Sequence, residues 1–148
     1  RFAEPLAPAI AAQRAGTELD WESIDRAIGL MCRDSDVMVV EGVGGLMVPM
    51  DAKHTFLDVA AWLALPAVVV ARPTLGTINH TLLTVEAIWR DGLDLAGLVL
   101  NQPTPEVDAV SAGTNPSILK ELTGLPILAR IGYGEQPDFS RLVAKLFE

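Results

Sequence analysis

The hydrophobic pattern alternates between short apolar runs and longer segments with helical spacing. Four short runs predict buried β-strands, at residues 37–40, 65–71, 95–101 and 126–131. They are continuous and dominated by valine, isoleucine and leucine, as is typical of strands buried on both faces.

The segments between these strands carry apolar residues three and four positions apart, which predicts amphipathic helices. The first residues, which include Pro5 and Pro8, predict an irregular start. Asp20 and Thr55 can each cap a helix. The apolar face of the helix after Asp20 would contain Ile24, Ile28 and Met31.

A further helix is predicted at 78–90, and the clearest local signal follows it. Asn115 is predicted as an N-cap, because Pro116 comes at the first helical position and Gly124 follows the last turn. Residues 137–138, Pro and Asp, open a final helix.

Strands that alternate with helices through short connections predict βαβ units. The expected fold is α/β, a doubly wound, mostly parallel sheet with helices on both faces, in a single domain over residues 1–148. Ligands bind such sheets beyond the carboxyl ends of the strands. Four positions qualify there: Glu41 with its glycines, 72–80, 101–102 and 131–133.

Charge and cysteine content narrow the classes of partner. The net charge is −8, with 19 acidic residues against 11 Lys and Arg, and no basic cluster is present. We therefore expect no nucleic-acid or membrane partner. The single cysteine, Cys32, fits a reducing cytoplasm. The sequence begins with Arg1, so we expect a processed or truncated piece of a longer protein.

Glu41 follows the first apolar run and precedes Gly42, Gly44 and Gly45. A carboxylate beside glycines can hold Mg²⁺ and leave room for phosphate oxygens. A capping acid above a tight turn is an equally open interpretation.

The sequence GTINH, residues 76–80, precedes a helix, so the amides of Ile78 and Asn79 would form an anion site. An ordinary cap by Thr77 or Asn79 is the alternative. His80 is expected to be a helix-surface or packing histidine, and His54 a loop residue, with no transition-metal spacing between them.

Asn101 ends the third predicted strand, and its amide offers a donor and an acceptor that match the paired edge of adenine. A turn-forming role before Pro103 is the alternative. Trp21, Trp62 and Trp89 are expected to pack in a core or an interface.

A phosphate-binding lysine is missing from the sequence. The Walker A pattern G-x-x-x-x-G-K-[ST] requires a Gly-Lys pair, and none is present. The lysines are Lys53, Lys120 and Lys145.

Four segments, taken in their order along the chain, resemble the dethiobiotin synthetase family. They read VEGVGGLMVPM, LPAVVVARPTLGTINHTLLTVEAI, GLDLAGLVLNQPTP and LTGLPILARI. The opening RFAEPLAPAIAA is also similar to that family, and the resemblance runs from Phe2 to about Tyr133. It implies a P-loop-type fold whose first strand, P-loop lysine and second active-site lysine precede Arg1. We therefore expect this chain alone to be inactive.

The resemblance also implies a reaction and its participants. ATP and Mg²⁺ would drive closure of a cyclic urea from 7,8-diaminononanoate and CO₂, in a cytoplasmic homodimer. One amine forms a carbamate, ATP phosphorylates it, and the second amine displaces phosphate.

Site residues are implied by matching motifs. Glu41 would ligate Mg²⁺, and the substrate's distal carboxylate would bind across the dimer interface at Gly76, Thr77, Ile78 and Asn79. The residues implied for the nucleotide are Glu41, Gly42, Val43, Gly44, Asn101, Gln102, Ile131, Gly132 and Tyr133. Ala7 departs from the family, which commonly has serine there, so a hydroxyl expected near the substrate is absent.

Two other functions remain open. One is a related P-loop amide or ligase-type synthase that acts on another substrate. The other is a non-catalytic nucleotide-binding or regulatory module that lacks a P-loop.

Overall fold

The computed structural model describes residues 1–106 and 108–147, and the chain forms two compact units, Arg1–Trp62 and a second that begins at Leu63. The prediction of a single domain stays a prediction.

The first unit contains three helices, α1 (Pro8–Arg14), α2 (Trp21–Asp34) and α3 (Phe56–Leu63), the last of which ends at the boundary. The predicted irregular start is wrong for α1, because Pro8 occupies the first helical turn, where a missing N–H costs nothing. The Asp20 cap is confirmed, since its side chain accepts a hydrogen bond from the Ser23 N–H at 3.0 Å.

The predicted strand at 37–40 is wrong. The segment is irregular, and its backbone pairs with no other described backbone group. Val39 is 88% exposed. A strand forms only where a neighbour satisfies its N–H and C=O groups, and the described residues supply none here.

The second unit confirms the three later strands and the α/β class. β1 (Ala67–Ala71), β2 (Leu95–Asn101) and β3 (Ile127–Ile131) form a parallel sheet in the order β1-β2-β3. Its helices are α4 (Thr77–Arg90), α5 (Ala109–Thr123) and α6 (Ser140–Phe147). Within the described ranges, no helix is both long and apolar enough to cross a bilayer.

The central strand β2 forms the core of this unit. Residues 95–100 are all buried, and Leu98 is completely inaccessible. Gly97 permits the close approach of the neighbouring chain, because a Cβ there would lie 2.7 Å from the Pro126 carbonyl oxygen. The first part of β2 therefore lies close to the segment that leads into β3.

Helix α5 begins earlier than its local signals predict. Asp108 is the N-cap and accepts a hydrogen bond from the Val110 N–H at 3.1 Å. Asn115 is not the cap; it is buried inside α5 and donates through Nδ2 to the Thr74 carbonyl at 3.2 Å. Pro116 consequently lies within the helix, whereas the Gly124 end is confirmed by its φ of 68°.

Candidate functional site

The carboxyl ends of β2 and β3 are joined immediately beyond the sheet. The backbone N–H of Gln102 donates to the Ile131 carbonyl at 2.9 Å. A cleft of about 300 Å³ opens there. Its lining residues are Pro73, Leu100, Gln102, Ala112, Arg130, Ile131, Gly132 and Glu135.

Three of the residues predicted to bind nucleotide line this cleft, namely Gln102, Ile131 and Gly132. Asn101 is half-buried at the last position of β2, and Tyr133 is exposed. Neither is part of the lining. The structure thus brings together the two predicted strand-end segments.

The loop after β3 is closed by Glu135. The Gly132 N–H donates to Glu135 Oε2 at 3.1 Å, and the Glu135 N–H donates back to the Gly132 carbonyl at 3.1 Å. In the segment after β2, Gln102 Nε2 donates to the Thr104 carbonyl at 3.0 Å. These bonds fix the polar rim of the cleft.

Arg130 is a cleft residue that sequence reasoning missed. Its Nη2 donates to the Ala112 carbonyl at 3.2 Å, which ties β3 to α5. A charged residue inside the apolar strand ILARI is the signal that could have identified it. Glu135 carried no comparable signal, because it lies in an irregular loop.

The start of α4 has the geometry of an open helix terminus. Gly76 is the N-cap with φ of 88°, and no side chain caps the helix. The alternative of a Thr77 or Asn79 side-chain cap is therefore wrong. The N–H groups of Ile78 and Asn79 find no acceptor among the described residues. His80 is exposed on the helix surface, as predicted.

Residues 41–45 belong to the first unit. Glu41 is exposed, and no described residue hydrogen-bonds its carboxylate. Gly42 lies against the Phe56 ring, so close that a Cβ would be 2.6 Å from it. Gly44 has a φ of 77°. The glycines therefore allow a turn packed on the start of α3, with Val43 and Glu41 directed to solvent-exposed positions.

Asp51 organises the loop before α3. It accepts hydrogen bonds from Trp21 Nε1 at 2.8 Å, the Lys53 N–H at 2.7 Å and the His54 N–H at 2.8 Å. His54 Nδ1 also lies 2.9 Å from the carboxylate. Hydrogen bonding to His54, and then to the Lys53 backbone, lowers the pKa of Asp51 well below its ordinary range.

The tryptophans do not form a core. Trp62 is 47% exposed and Trp89 is 45% exposed. Trp21 is half-buried and meets the His54 ring edge to face at 5.5 Å.

Metal binding can be tested against these side chains. In residues 1–106 and 108–147, no three His, Cys, Asp or Glu side chains gather into a metal-binding cluster. Magnesium is commonly held by one or two carboxylates together with substrate phosphates and water. An exposed, unengaged carboxylate at Glu41 fits that donor set.

Comparison with known proteins defines the class. The family model described as AAA domain matches residues 1–139. The chain belongs to this family.

Three similar curated proteins carry the name ATP-dependent dethiobiotin synthetase BioD. The protein of Anaeromyxobacter sp. (strain K) is 44% identical over 145 residues, which cover 98% of this chain and 64% of the relative. That of Anaeromyxobacter dehalogenans (strain 2CP-C) is 46% identical over 140 residues, 95% of this chain and 61% of the relative. That of Thermodesulfovibrio yellowstonii is 38% identical over 140 residues, 90% of this chain and 58% of the relative.

The resemblance seen in the sequence is thereby confirmed. The chain spans less than two thirds of the length of these three relatives.

Proposed function

We propose that this chain is part of an ATP-dependent dethiobiotin synthetase. The enzyme would convert 7,8-diaminononanoate and CO₂ to dethiobiotin, with ATP as co-substrate and Mg²⁺, in the cytoplasm. The observation that carries the proposal is the cleft at the ends of β2 and β3. It is lined by Gln102, Ile131 and Gly132, three residues that the family resemblance assigns to the nucleotide.

The cleft would take the nucleoside of ATP. Leu100, Pro73 and Ile131 supply apolar walls, while Gln102 and Gly132 supply polar groups at the rim. Small-molecule sites use oriented polar groups of this kind to fix a ligand against apolar walls. Asn101 would read the adenine edge from the end of β2, with Tyr133 beside it.

The start of α4 would bind the distal carboxylate of the diamine. The uncapped N–H groups of Ile78 and Asn79 support this assignment, because a carboxylate can accept hydrogen bonds from both. Gly76 permits close approach, since it has no side chain and adopts a φ of 88°. Thr77 is buried, and its N–H already donates to the Thr74 carbonyl at 3.2 Å.

Glu41 would hold Mg²⁺, and Gly42, Val43 and Gly44 would lie against phosphates. A bound Mg²⁺ neutralises charge on the transferred phosphoryl group. Glu41 would orient that ion through its free carboxylate, and the short glycine turn would leave space for phosphate oxygens.

We also propose a homodimer in which the Gly76–Asn79 segment of one protomer faces the phosphate site of the other. Native mass measurement tests it directly. A monomer that retains full activity at assay concentrations would contradict this assembly.

The reaction is tested with the complete gene product that contains this chain. Incubation with ATP, Mg²⁺, bicarbonate and diaminononanoate should yield dethiobiotin, detected by mass spectrometry. The carboxamide analogue of the diamine removes the charge that α4 would recognise. Its KM should rise roughly tenfold or more, with kcat nearly unchanged, because distal binding is uniform between ground and transition states.

Two outcomes would contradict the proposal. ATP consumption without dethiobiotin would favour a related synthase that acts on another substrate. Nucleotide binding without any ATP consumption would favour a non-catalytic module.

A further inference from the structure

Arg130 has a feature that the proposed function does not use. Arg130 is exposed and lines the cleft, and one of its five N–H donors reaches the Ala112 carbonyl. None of the remaining donors finds an acceptor among the described residues. Glu135 lines the same cleft, but no ion pair joins it to Arg130 within 4.0 Å in the described part of the chain.

The acceptor that holds Arg130 is available because of a proline. In an α-helix, the carbonyl of residue 112 normally accepts a bond from the N–H of residue 116. Residue 116 is proline, which has no N–H, and it lies within α5. The Ala112 carbonyl is thus relieved of its usual helical donor and bonds Arg130 instead.

We propose that Arg130 is a nucleoside-binding residue, oriented by the carbonyl that Pro116 leaves available in α5. This inference rests on the proposed function, since it takes the cleft to be the nucleotide site. Arg130 would donate charge-assisted hydrogen bonds to acceptor atoms of the base or ribose. Arg130 would act on the nucleoside and not on the phosphates.

The orientation is specific to guanidinium. One N–H arm is occupied by Ala112, and the planar group holds its other donors in a fixed fork. Lysine offers a single flexible ammonium, which cannot bond both the Ala112 carbonyl and the ligand in this geometry. Pro116 is therefore a positioning residue, which acts on the ligand only through Arg130.

The experiment measures the Kd of adenosine and of ATP for the protein by calorimetry. Arg130→Met should raise both Kd values by a similar factor, roughly tenfold or more, because it removes charge-assisted hydrogen bonds. Arg130→Lys should recover little of that loss. Arg90→Met, at the exposed last position of α4, is the matched control and should leave both values unchanged.

The Pro116→Ala variant distinguishes a positioning role of Pro116 from a general structural role. It restores an N–H that competes for the Ala112 carbonyl, so Kd should rise about threefold even though the unfolding temperature increases. In an Arg130→Met background, Pro116→Ala should have no further effect on Kd. Pro66→Ala, outside any helix, is the control proline.

The outcomes are distinguishable. If neither adenosine nor ATP binds the unmodified protein, the proposed nucleotide function fails. If both bind, but Arg130→Met binds them as tightly as the unmodified protein does, this inference alone is wrong. If Arg130→Met weakens the binding of ATP but not of adenosine, the nucleoside assignment is wrong. If the effects of Pro116→Ala and Arg130→Met on Kd are additive, the positioning role of Pro116 is wrong.

Discussion

The Gln102 backbone N–H donates to the Ile131 carbonyl at 2.9 Å, and this bond joins the residue after β2 to the last residue of β3. Asn101, one residue earlier, makes no side-chain hydrogen bond to any described residue. Its amide is therefore available to a ligand.

Asn101→Ala should weaken ATP binding without destabilising the protein. One or two lost hydrogen bonds correspond to about 1–2 kcal/mol, and thus to a Kd roughly 5- to 30-fold higher. Preference for ATP over other nucleotides should also relax, while affinity for the diamine changes little. Calorimetry measures both ligands, and Gln136→Ala, at an exposed loop position, is the control. Equal weakening of ATP and diamine would point to a structural role at the strand end.

Glu41→Gln should lower the activity of the complete enzyme by roughly 100-fold or more, because a metal ligand supplies several kcal/mol to the transition state. Part of the loss should be recovered at higher Mg²⁺. The unfolding temperature should barely change, since the carboxylate is exposed and bonds no described residue. Glu18→Gln, another exposed acid in the same unit, is the control. Full activity with a large drop in unfolding temperature would favour the capping role.

Gly42→Ala and Gly45→Ala form a matched pair in one turn. A Cβ at Gly42 would lie 2.6 and 2.8 Å from two Phe56 ring atoms, whereas a Cβ at Gly45 would meet nothing within 4 Å. Overpacking of this kind costs about 1–3 kcal/mol, so Gly42→Ala should lower the free energy of unfolding by that amount. Gly45→Ala should be nearly neutral. Urea denaturation measures both, and equal effects would mean that the Phe56 ring moves aside freely.

Asp51→Asn should change the pH dependence of stability. Hydrogen bonds lower the folded-state pKa of Asp51 below its unfolded value of about 3.9, so the carboxylate stabilises the protein above that pH. This contribution is lost as pH falls below about 4 toward the folded pKa. The unfolding midpoint of Asp51→Asn should therefore lie below that of the unmodified protein at pH 7, and the gap should narrow at pH 3. Asp25→Asn, at an exposed carboxylate that no described residue hydrogen-bonds, should leave the midpoint close to that of the unmodified protein at both pH values. A gap that stays constant would contradict the assignment.

Strand β2 was predictable because it is buried at six consecutive positions, so its apolar composition reflects its buried environment. The run at 37–40 has similar composition, yet it is not a strand. An apolar run reports a tendency to be buried, but it does not report whether a neighbour is present to pair with it.

Local sequence signals also report only on residues that are close together in the chain. The Asn115–Pro116 pair with Gly124 is a sound helix signature, but Asp108 caps the same helix seven residues earlier. Three residues of the cleft, Gln102, Ile131 and Gly132, were predictable because they lie at or just beyond the carboxyl ends of predicted strands. The Arg130–Ala112 bond joins residues 18 apart in sequence and depends on how α5 packs, so no local pattern contains it.

The crowding at Gly97 has a genetic consequence. Every amino-acid substitution at a glycine introduces a Cβ, and here that atom would lie 2.7 Å from the backbone oxygen of Pro126. Backbone gives way less readily than a side chain, so the neighbouring strand cannot accommodate the atom by a change of rotamer. We therefore expect selection to act against substitutions at this codon, and variation around the cleft to arise in the loops beyond the strands.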